Sequence, residues 1–106
     1  MEFKIEFWDM KWEYPRKGMK EKYIIDRNKK FRIVEFNEYF EHTEWCTDGH
    51  VGYVLKGKMT IDFNGREIEY KAGDLLYIPQ GNIHSRHKVK VAEGEIAIIF
   101  MVEDIK

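Results

Sequence analysis

Residues 73–84 read Gly73-Asp-Leu-Leu-Tyr-Ile-Pro79-Gln-Gly81-Asn-Ile-His84. A glycine turn leads into a short apolar strand, a Pro-x-Gly turn reverses the chain, and a histidine opens the next run. This order of turns fixes one imidazole at a defined place on a sheet. Histidine is the commonest metal ligand and a frequent acid–base group. The segment therefore predicts both a β fold and a site that contains His84.

The sequence around this segment predicts more short strands separated by turns. In residues 58–63 Met59, Ile61 and Phe63 alternate with polar residues, as in a strand with one buried face. Asn64-Gly65 follows, a strong hairpin signal because both residue types tolerate positive φ. Further strands are expected at residues 31–40, 50–56, 66–70, 83–91 and 95–103. We find no convincing helix, and the pattern is typical of a sandwich or barrel.

Two other segments carry expectations about the architecture. Residues 96–102 are apolar on both faces of the predicted last strand, so a second layer or a partner subunit has to cover each face. Residues 9–21 are polar and contain Pro15 and Gly18, which predicts a loop.

Composition limits the class of protein. The 106 residues form one domain of ordinary size, and 43% of them are hydrophobic. The net charge of −1 gives no electrostatic footprint for nucleic acid or for an anionic membrane. Residues 96–102, the longest apolar run, are far too short to span a bilayer. Cys46 is the single cysteine, which rules out an intrachain disulfide and suggests a reducing cytoplasm.

The two turn-bounded segments resemble the motifs of the cupins. Residues 73–84 fill every fixed position of the second cupin motif, G-x5-P-x-G-x2-H. His50-Val-Gly-Tyr-Val-Leu-Lys-Gly57 is similar to the end of the first motif. The resemblance implies an all-β fold, a double-stranded β-helix (an antiparallel jelly-roll barrel), over a single domain 1–106. It also implies a divalent metal inside the barrel and a homodimer paired through sheet edges, with the N-terminal segment 1–20 exchanged or packed at the interface.

The same resemblance implies the metal ligands. With a three-residue spacer in the first motif, the ligand positions fall on Glu44, Cys46 and His50, and the second motif adds His84. A four-residue spacer would place Thr43 and Trp45 at two of these positions. Neither is a good ligand, so we prefer the shorter spacer. His42 could replace Glu44 if the strand has a different register.

Strand geometry and ligand chemistry support this set. Residues 42, 44 and 46 point to one face of an extended chain. A thiolate, a carboxylate and two imidazoles suit Zn²⁺, Fe²⁺ or Ni²⁺ better than Mg²⁺ or Ca²⁺. His87 lies three residues after His84 and is expected on the opposite face, at the surface. The residues expected to line a ligand pocket are His42, Trp45, Tyr53, Tyr77 and Phe100.

Three functions remain open from the sequence. The first is a metal-dependent enzyme, an oxygenase or an isomerase, that acts on a small molecule. The second is a non-catalytic module that binds or senses a small ligand. In the third, Cys46 is a redox-sensing thiol whose pKa is lowered by nearby histidines. The fold supports many chemistries and does not choose among them.

Overall fold

The computed structural model describes residues 4–42, 44–46, 49–79 and 86–105, and within these ranges the ordered elements are strands. The eight strands are β1 Glu13–Arg16, β2 Met19–Asp26, β3 Lys29–Asn37, β4 His50–Phe63, β5 Arg66–Lys71, β6 Leu75–Ile78, β7 Lys88–Lys90 and β8 Ile96–Asp104. None of the described residues forms a helix that is long and apolar enough to cross a bilayer.

The long strand β4 joins two antiparallel sheets. Its first half lies between β8 and β6, and its second half pairs with β5 and β7. Strands β1, β2 and β3 extend the first sheet beyond β8. Every pairing is antiparallel, and the two sheets face each other across a common interior. The expected all-β jelly-roll barrel is confirmed.

A bulge in β4 decides which of its residues face the interior. The sequence suggested two strands separated by Gly57, whereas the structure has one continuous strand with a register shift between Val54 and Lys56. An extra residue in one strand reverses the alternation of its side chains. Val54 is therefore buried before the bulge and Met59 after it. Gly57 has a φ of 77°, and a Cβ there would lie 1.9 Å from the carbonyl oxygen of Ile96.

The core fills the space between the two sheets. Its most deeply buried large side chains are Val34, Val54, Ile61 and Ile99, one from each of β3 and β8 and two from β4. Burial of each such side chain contributes about 1.5–3 kcal/mol. The opposite, outer face of β8 is only partly buried. Within this chain, the expectation that both faces of this strand are covered therefore holds for the inner face and not for the outer one.

The N-terminal segment differs from the expected loop. Residues 9–21 contain β1 and the start of β2, which pair with each other through Glu13–Glu21 and Arg16–Met19. The sequence suggested a loop because Pro15 lacks a backbone donor, but β1 is an edge strand, where proline is tolerated. Asn64 and Gly65 both have positive φ, as the predicted hairpin requires.

Candidate metal and ligand site

A cavity of about 280 Å³ lies between the two sheets. Most of its wall is apolar and comes from inward-facing residues of the strands, with further residues from the segment between β3 and β4. The apolar lining residues are Met19, Phe36, Phe40, Trp45, Met59, Ile61, Leu76, Ile78, Val89, Ile99 and Met101. The polar ones are Arg16, Arg32, His42, Glu44, Cys46, His50 and His87. Small-molecule sites commonly have this composition, an apolar enclosure with a few converging polar groups.

Three of the polar residues form a compact group of donor atoms. Cys46, His50 and His87 each offer one ligand atom, and these atoms lie within 4.8 Å of one another. Cys46 Sγ is 4.0 Å from His50 Nε2. The ring centroids of His50 and His87 are 5.3 Å apart, and the two rings are almost perpendicular. A single ion can therefore be reached by one sulfur and two nitrogen atoms.

Backbone pairing brings these three residues together from distant parts of the chain. Cys46 and His87 form an isolated antiparallel bridge in which each N–H donates to the other's carbonyl oxygen, both at 2.9 Å. His50 is the first residue of β4 and precedes the inward-facing Gly52 and Val54 by an even number of positions. Its imidazole therefore points into the barrel, as strand alternation requires.

His87 is a correction to the sequence analysis. We expected it at the surface, but its side chain is 2% exposed and lies beside His50 and Phe63. The expectation assumed an unbroken strand from residue 83, on which positions 84 and 87 would face opposite sides. The structure instead fixes His87 through its bridge with Cys46, and β7 begins only at Lys88.

On the side away from Cys46, His50 is the last member of a row of ionisable side chains. The row consists of Glu21, Arg32, Glu103 and His50. His50 Nδ1 is in ion-pair contact with Glu103 Oε2 on β8, although Nδ1 lacks an aligned hydrogen bond. Arg32 Nη1 donates to both oxygens of Glu103, at 3.2 and 3.0 Å. Arg32 Nε and Nη2 donate to Glu21 Oε1, at 3.1 and 2.8 Å. The sequence analysis missed this row entirely.

These contacts shift the pKa values of His50 and Glu103 in opposite directions. Burial alone would lower the pKa of His50, but the contacts with Cys46 and Glu103 outweigh it and raise this pKa to about 9. Burial alone would raise the pKa of Glu103, but His50 and Arg32 hold it below its usual range. Glu103 is therefore an anion at neutral pH, next to the imidazole of the donor group.

His42 and Trp45 line the cavity as the sequence predicted, and each is held in place by a specific contact. The backbone N–H of Val89 donates to His42 Nδ1 at 2.8 Å. Trp45 contacts two cations, with the Arg86 guanidinium 5.1 Å and Lys88 Nζ 4.7 Å from its ring centroid. These contacts tie His42 and Trp45 to residues 86–89.

Glu44 and His84 complete the ligand set that the sequence predicted. Glu44 lines the cavity but is exposed, and its carboxylate is not part of the compact donor group. His42, Glu44 and Cys46 lie outside the eight strands, although all three line one cavity, as their expected common face requires. His84 lies outside the described residues, as does Thr43 of the alternative alignment. The roles of Glu44 and His84 as ligands stay predictions.

Three of the expected pocket-lining residues face away from the cavity. Tyr53 is 45% exposed and Tyr77 is 69% exposed, both on the outer surface of the first sheet. Phe100 pairs with Tyr53 and lies between the inward-facing Ile99 and Met101. The prediction for these three residues is wrong because it weighed residue type without strand alternation: in β4, β6 and β8 their neighbours occupy the inner face.

The donor group suits a divalent transition metal. One thiolate and two imidazoles are a borderline-soft set, which favours Zn²⁺ and also accommodates Fe²⁺ or Ni²⁺. Glu103 behind His50 matches the carboxylate–histidine–metal arrangement that orients metal-bound imidazoles in many proteins. Three protein ligands would leave a coordination position for a further side chain, water or substrate.

Comparison with known proteins identifies the family. The "Cupin domain" family matches residues 40–103. Over 55 residues the chain is 36% identical to quercetin 2,3-dioxygenase of Bacillus subtilis (strain 168). The matched segment covers 51% of this chain and only 14% of that protein.

Two solved structures have the same fold at low identity. The polyketide cyclase RemF from Streptomyces resistomycificus superposes with a TM-score of 0.84 at 21% identity, covering 100% of this chain and 81% of that one. KdgF from Halomonas sp. gives a TM-score of 0.70 at 18% identity, covering 91% and 87%. Since the family match spans more than half of the chain and contains all three residues of the donor group, this protein belongs to the cupin family.

Proposed function

We propose that this protein binds a divalent transition metal through Cys46, His50 and His87 and acts on a small organic molecule held in the adjoining cavity. The observation that carries the proposal is the convergence of these three donors within 4.8 Å at the wall of the cavity. A bound ion of this kind supplies Lewis-acid activation of an oxygen atom on the substrate. The quercetin dioxygenase and polyketide cyclase among the similar proteins are both named as enzymes, which supports a catalytic role.

The chain's own residues define the proposed ligand. Phe36, Phe40 and three methionines form an apolar enclosure that fits a hydrocarbon or aromatic body, because methionine adapts to irregular shapes and packs well against rings. Arg16 contributes a positive charge to the same cavity. We therefore infer a substrate with an apolar body and an oxygen function that can reach the metal.

The thiolate donor bears on the reaction type. Oxygen chemistry at the metal would put Cys46 at risk of oxidation to a sulfenic or sulfinic acid. A thiolate also shifts metal preference towards zinc, which has no redox chemistry. We therefore favour an isomerase or a related non-redox reaction over an oxygenase, in a reducing cytoplasm that keeps the thiol intact.

Metal titration tests the proposal directly. The wild-type protein is expected to bind one equivalent of Zn²⁺, measured by calorimetry and by elemental analysis after dialysis. His50→Gln and His87→Gln each remove a donor and should weaken binding roughly 100-fold or more. His42→Asn is the matched control: it alters a histidine of the same cavity whose Nδ1 is already occupied by the Val89 N–H. Wild-type uptake below about a tenth of an equivalent of Zn²⁺, Fe²⁺ and Ni²⁺ alike would exclude the metal site.

The fourth ligand is part of the same experiment. We propose His84 for this place, since it fills the ligand position of the second cupin motif, whereas Glu44 would have to give up its exposure to water. His84→Gln should then weaken Zn²⁺ binding, and Glu44→Gln should leave it within about threefold of wild type. The reverse result would assign the position to Glu44.

Thermal melting with a panel of small aromatic and carboxylated compounds distinguishes the enzyme from the alternative binding or sensing module. Stabilisation followed by turnover supports the enzyme. Stabilisation by a compound that the metal-loaded protein leaves unchanged would favour the binding module.

The outer face of the first sheet supports a homodimer, which is a second part of the proposal. Val51, Tyr53 and Leu55 of β4 are each 45–48% exposed, and Leu75 and Tyr77 of β6 are 68% and 69% exposed. They adjoin the partly buried outer residues of β8 through the pairs Val51–Val102 and Tyr53–Phe100. A continuous apolar patch of this kind marks an interaction site, and a second copy satisfies it by two-fold symmetry. It stays a prediction that residues 1–20 are exchanged between subunits or packed at the interface; within this chain β1 pairs with β2.

Charge introduced into this patch is expected to produce monomers. Tyr53→Glu and Leu75→Glu should each shift the wild-type dimer to monomer mass in size-exclusion chromatography with light scattering, because a buried carboxylate would face apolar side chains of both copies. Ile25→Glu, at a 54% exposed position on β2, is the control and should remain dimeric. A wild-type protein that is monomeric at about 100 μM would contradict the dimer.

A further inference from the structure

The row Glu21–Arg32–Glu103–His50 adds three buried charged side chains behind one of the proposed metal ligands, His50. The four side chains come from β2, β3, β8 and β4, and each is 11–14% exposed. Ion pairs at this depth give little net stability, because desolvation of the charges offsets their attraction. Two carboxylates against one guanidinium also leave one negative charge in the interior. The balancing positive charge has to come from the His50 end of the row, either from the protonated imidazole or from an ion bound to it.

The geometry of His50 shows which of its ring nitrogens is available to a bound ion. Its Nδ1 is in contact with Glu103 Oε2, while its Nε2 is directed at Cys46 Sγ, 4.0 Å away. Carboxylate contact at one ring nitrogen keeps the proton on that nitrogen and leaves the other as the lone-pair donor. Nε2 is therefore the His50 nitrogen that remains available for an ion, and it lies on the side of Cys46.

Arg32 fixes the position of Glu103 in turn. Its Nη1 bonds both oxygens of Glu103, and its other nitrogens are held by Glu21 Oε1. The guanidinium is planar and always charged, so this fork holds the carboxylate in one orientation. Glu21 accepts hydrogen bonds from the other nitrogens of Arg32, whereas the carboxylate in contact with His50 is that of Glu103.

We propose that Glu103, held by Arg32 and Glu21, is the positioning residue of the metal site. It keeps the proton of His50 on Nδ1 and directs Nε2 at the ion, and the single negative charge of the row, together with one Cys46 thiolate, neutralises a divalent cation. This inference rests on the proposed metal site and adds to it a fixed ligand atom and a preference for ions of charge +2. Glu103 contacts neither substrate nor metal and acts through His50.

Glu103→Gln tests the role with little change in shape. Glutamine can offer an amide N–H to Nδ1, which favours the opposite tautomer of His50. We expect the Zn²⁺ dissociation constant to rise about 10- to 100-fold, as for other residues that orient metal-bound histidines. Glu35→Gln is the matched control, since it removes the charge of another partly buried carboxylate, which pairs with Lys20 and is not part of the row. Its Zn²⁺ affinity should stay within about threefold of wild type.

A spectroscopic readout separates positioning from a merely structural role. In Zn²⁺-loaded wild type, ¹⁵N–¹H correlation spectra should show His50 bound through Nε2 with a proton on Nδ1. Glu103→Asp keeps the charge for Arg32 but withdraws the carboxylate from His50, and it should weaken Zn²⁺ binding in the same direction. This variant serves if Glu103→Gln does not fold.

The outcomes distinguish this inference from the proposed function. An affinity in Glu103→Gln equal to that of the wild type, an equal loss in Glu35→Gln, or His50 bound through Nδ1 would overturn the role of Glu103 and leave the metal site standing. A wild-type protein that binds no divalent metal would overturn both.

Discussion

Arg32→Met is expected to lower the free energy of unfolding by about 3–5 kcal/mol, a loss typical of breaking a buried ion pair on one side. The substitution leaves Glu21 of β2 and Glu103 of β8 on either side of β3 without the guanidinium that contacts both. Both carboxylates are largely buried, so neither gains full hydration in compensation. Urea unfolding followed by circular dichroism at pH 7 measures the change.

The control for Arg32 is an exposed pair on the same barrel. Lys58 lies 3.8 Å from Glu95, with side chains 48% and 39% exposed. Lys58→Met should change the free energy of unfolding by less than about 1 kcal/mol, because solvent screens the pair. Replacing Glu21, Arg32 and Glu103 together by apolar residues of similar size should restore much of the stability while removing the row. A loss below about 1 kcal/mol in Arg32→Met would mean that the carboxylates are already stabilised by other groups.

The fold could be predicted from the sequence because its turns are encoded by residue type. Asn64-Gly65 and Gly73, all with positive φ, leave few alternatives to tight turns, and the alternation around Ile61 sets the inner face. The bulge between Val54 and Lys56 could not be predicted in this way. It depends on the pairing of β4 with β8, which is a long-range property.

The site was predicted in part, and the reason is similar. Cys46 and His50 follow from the first motif, whereas His87 depends on a bridge that residue spacing does not encode. Glu103 carried a signal that was overlooked. Ala97, Ile99 and Met101 form the buried face of β8, and position 103 continues the same alternation with a carboxylate. A charged residue that continues a buried face indicates a partner inside the barrel.

Acidification is expected to destabilise the metal-free protein because of His42. Its Nδ1 accepts the Val89 N–H, so protonation would set one donor against another. Burial lowers the pKa of His42 to about 4, and the neighbouring His87, Arg16, His50 and Lys88 act in the same direction. Because the unfolded chain binds this proton near pH 6.5, the stability from His42 is complete above pH 6.5 and is lost as the pH falls from 6.5 towards 4. We expect a loss of about 1–2 kcal/mol between pH 7 and pH 5, the full effect being reduced because the partly exposed ring is screened by solvent.

His42→Asn isolates this effect, since its side-chain oxygen can accept the Val89 N–H without titrating. Chemical unfolding is measured in the presence of a chelator at intervals from pH 4.5 to pH 8. Below pH 6.5 the free energy of unfolding should fall less steeply for the variant than for the wild type. His50 acts with the opposite sign. Its raised pKa contributes stability below pH 6.5 that is lost as the pH rises through about 9, so His50 cannot cause a loss of stability at acid pH. An equal loss of stability at acid pH in the two proteins would show that His42 does not carry the acid sensitivity of the barrel.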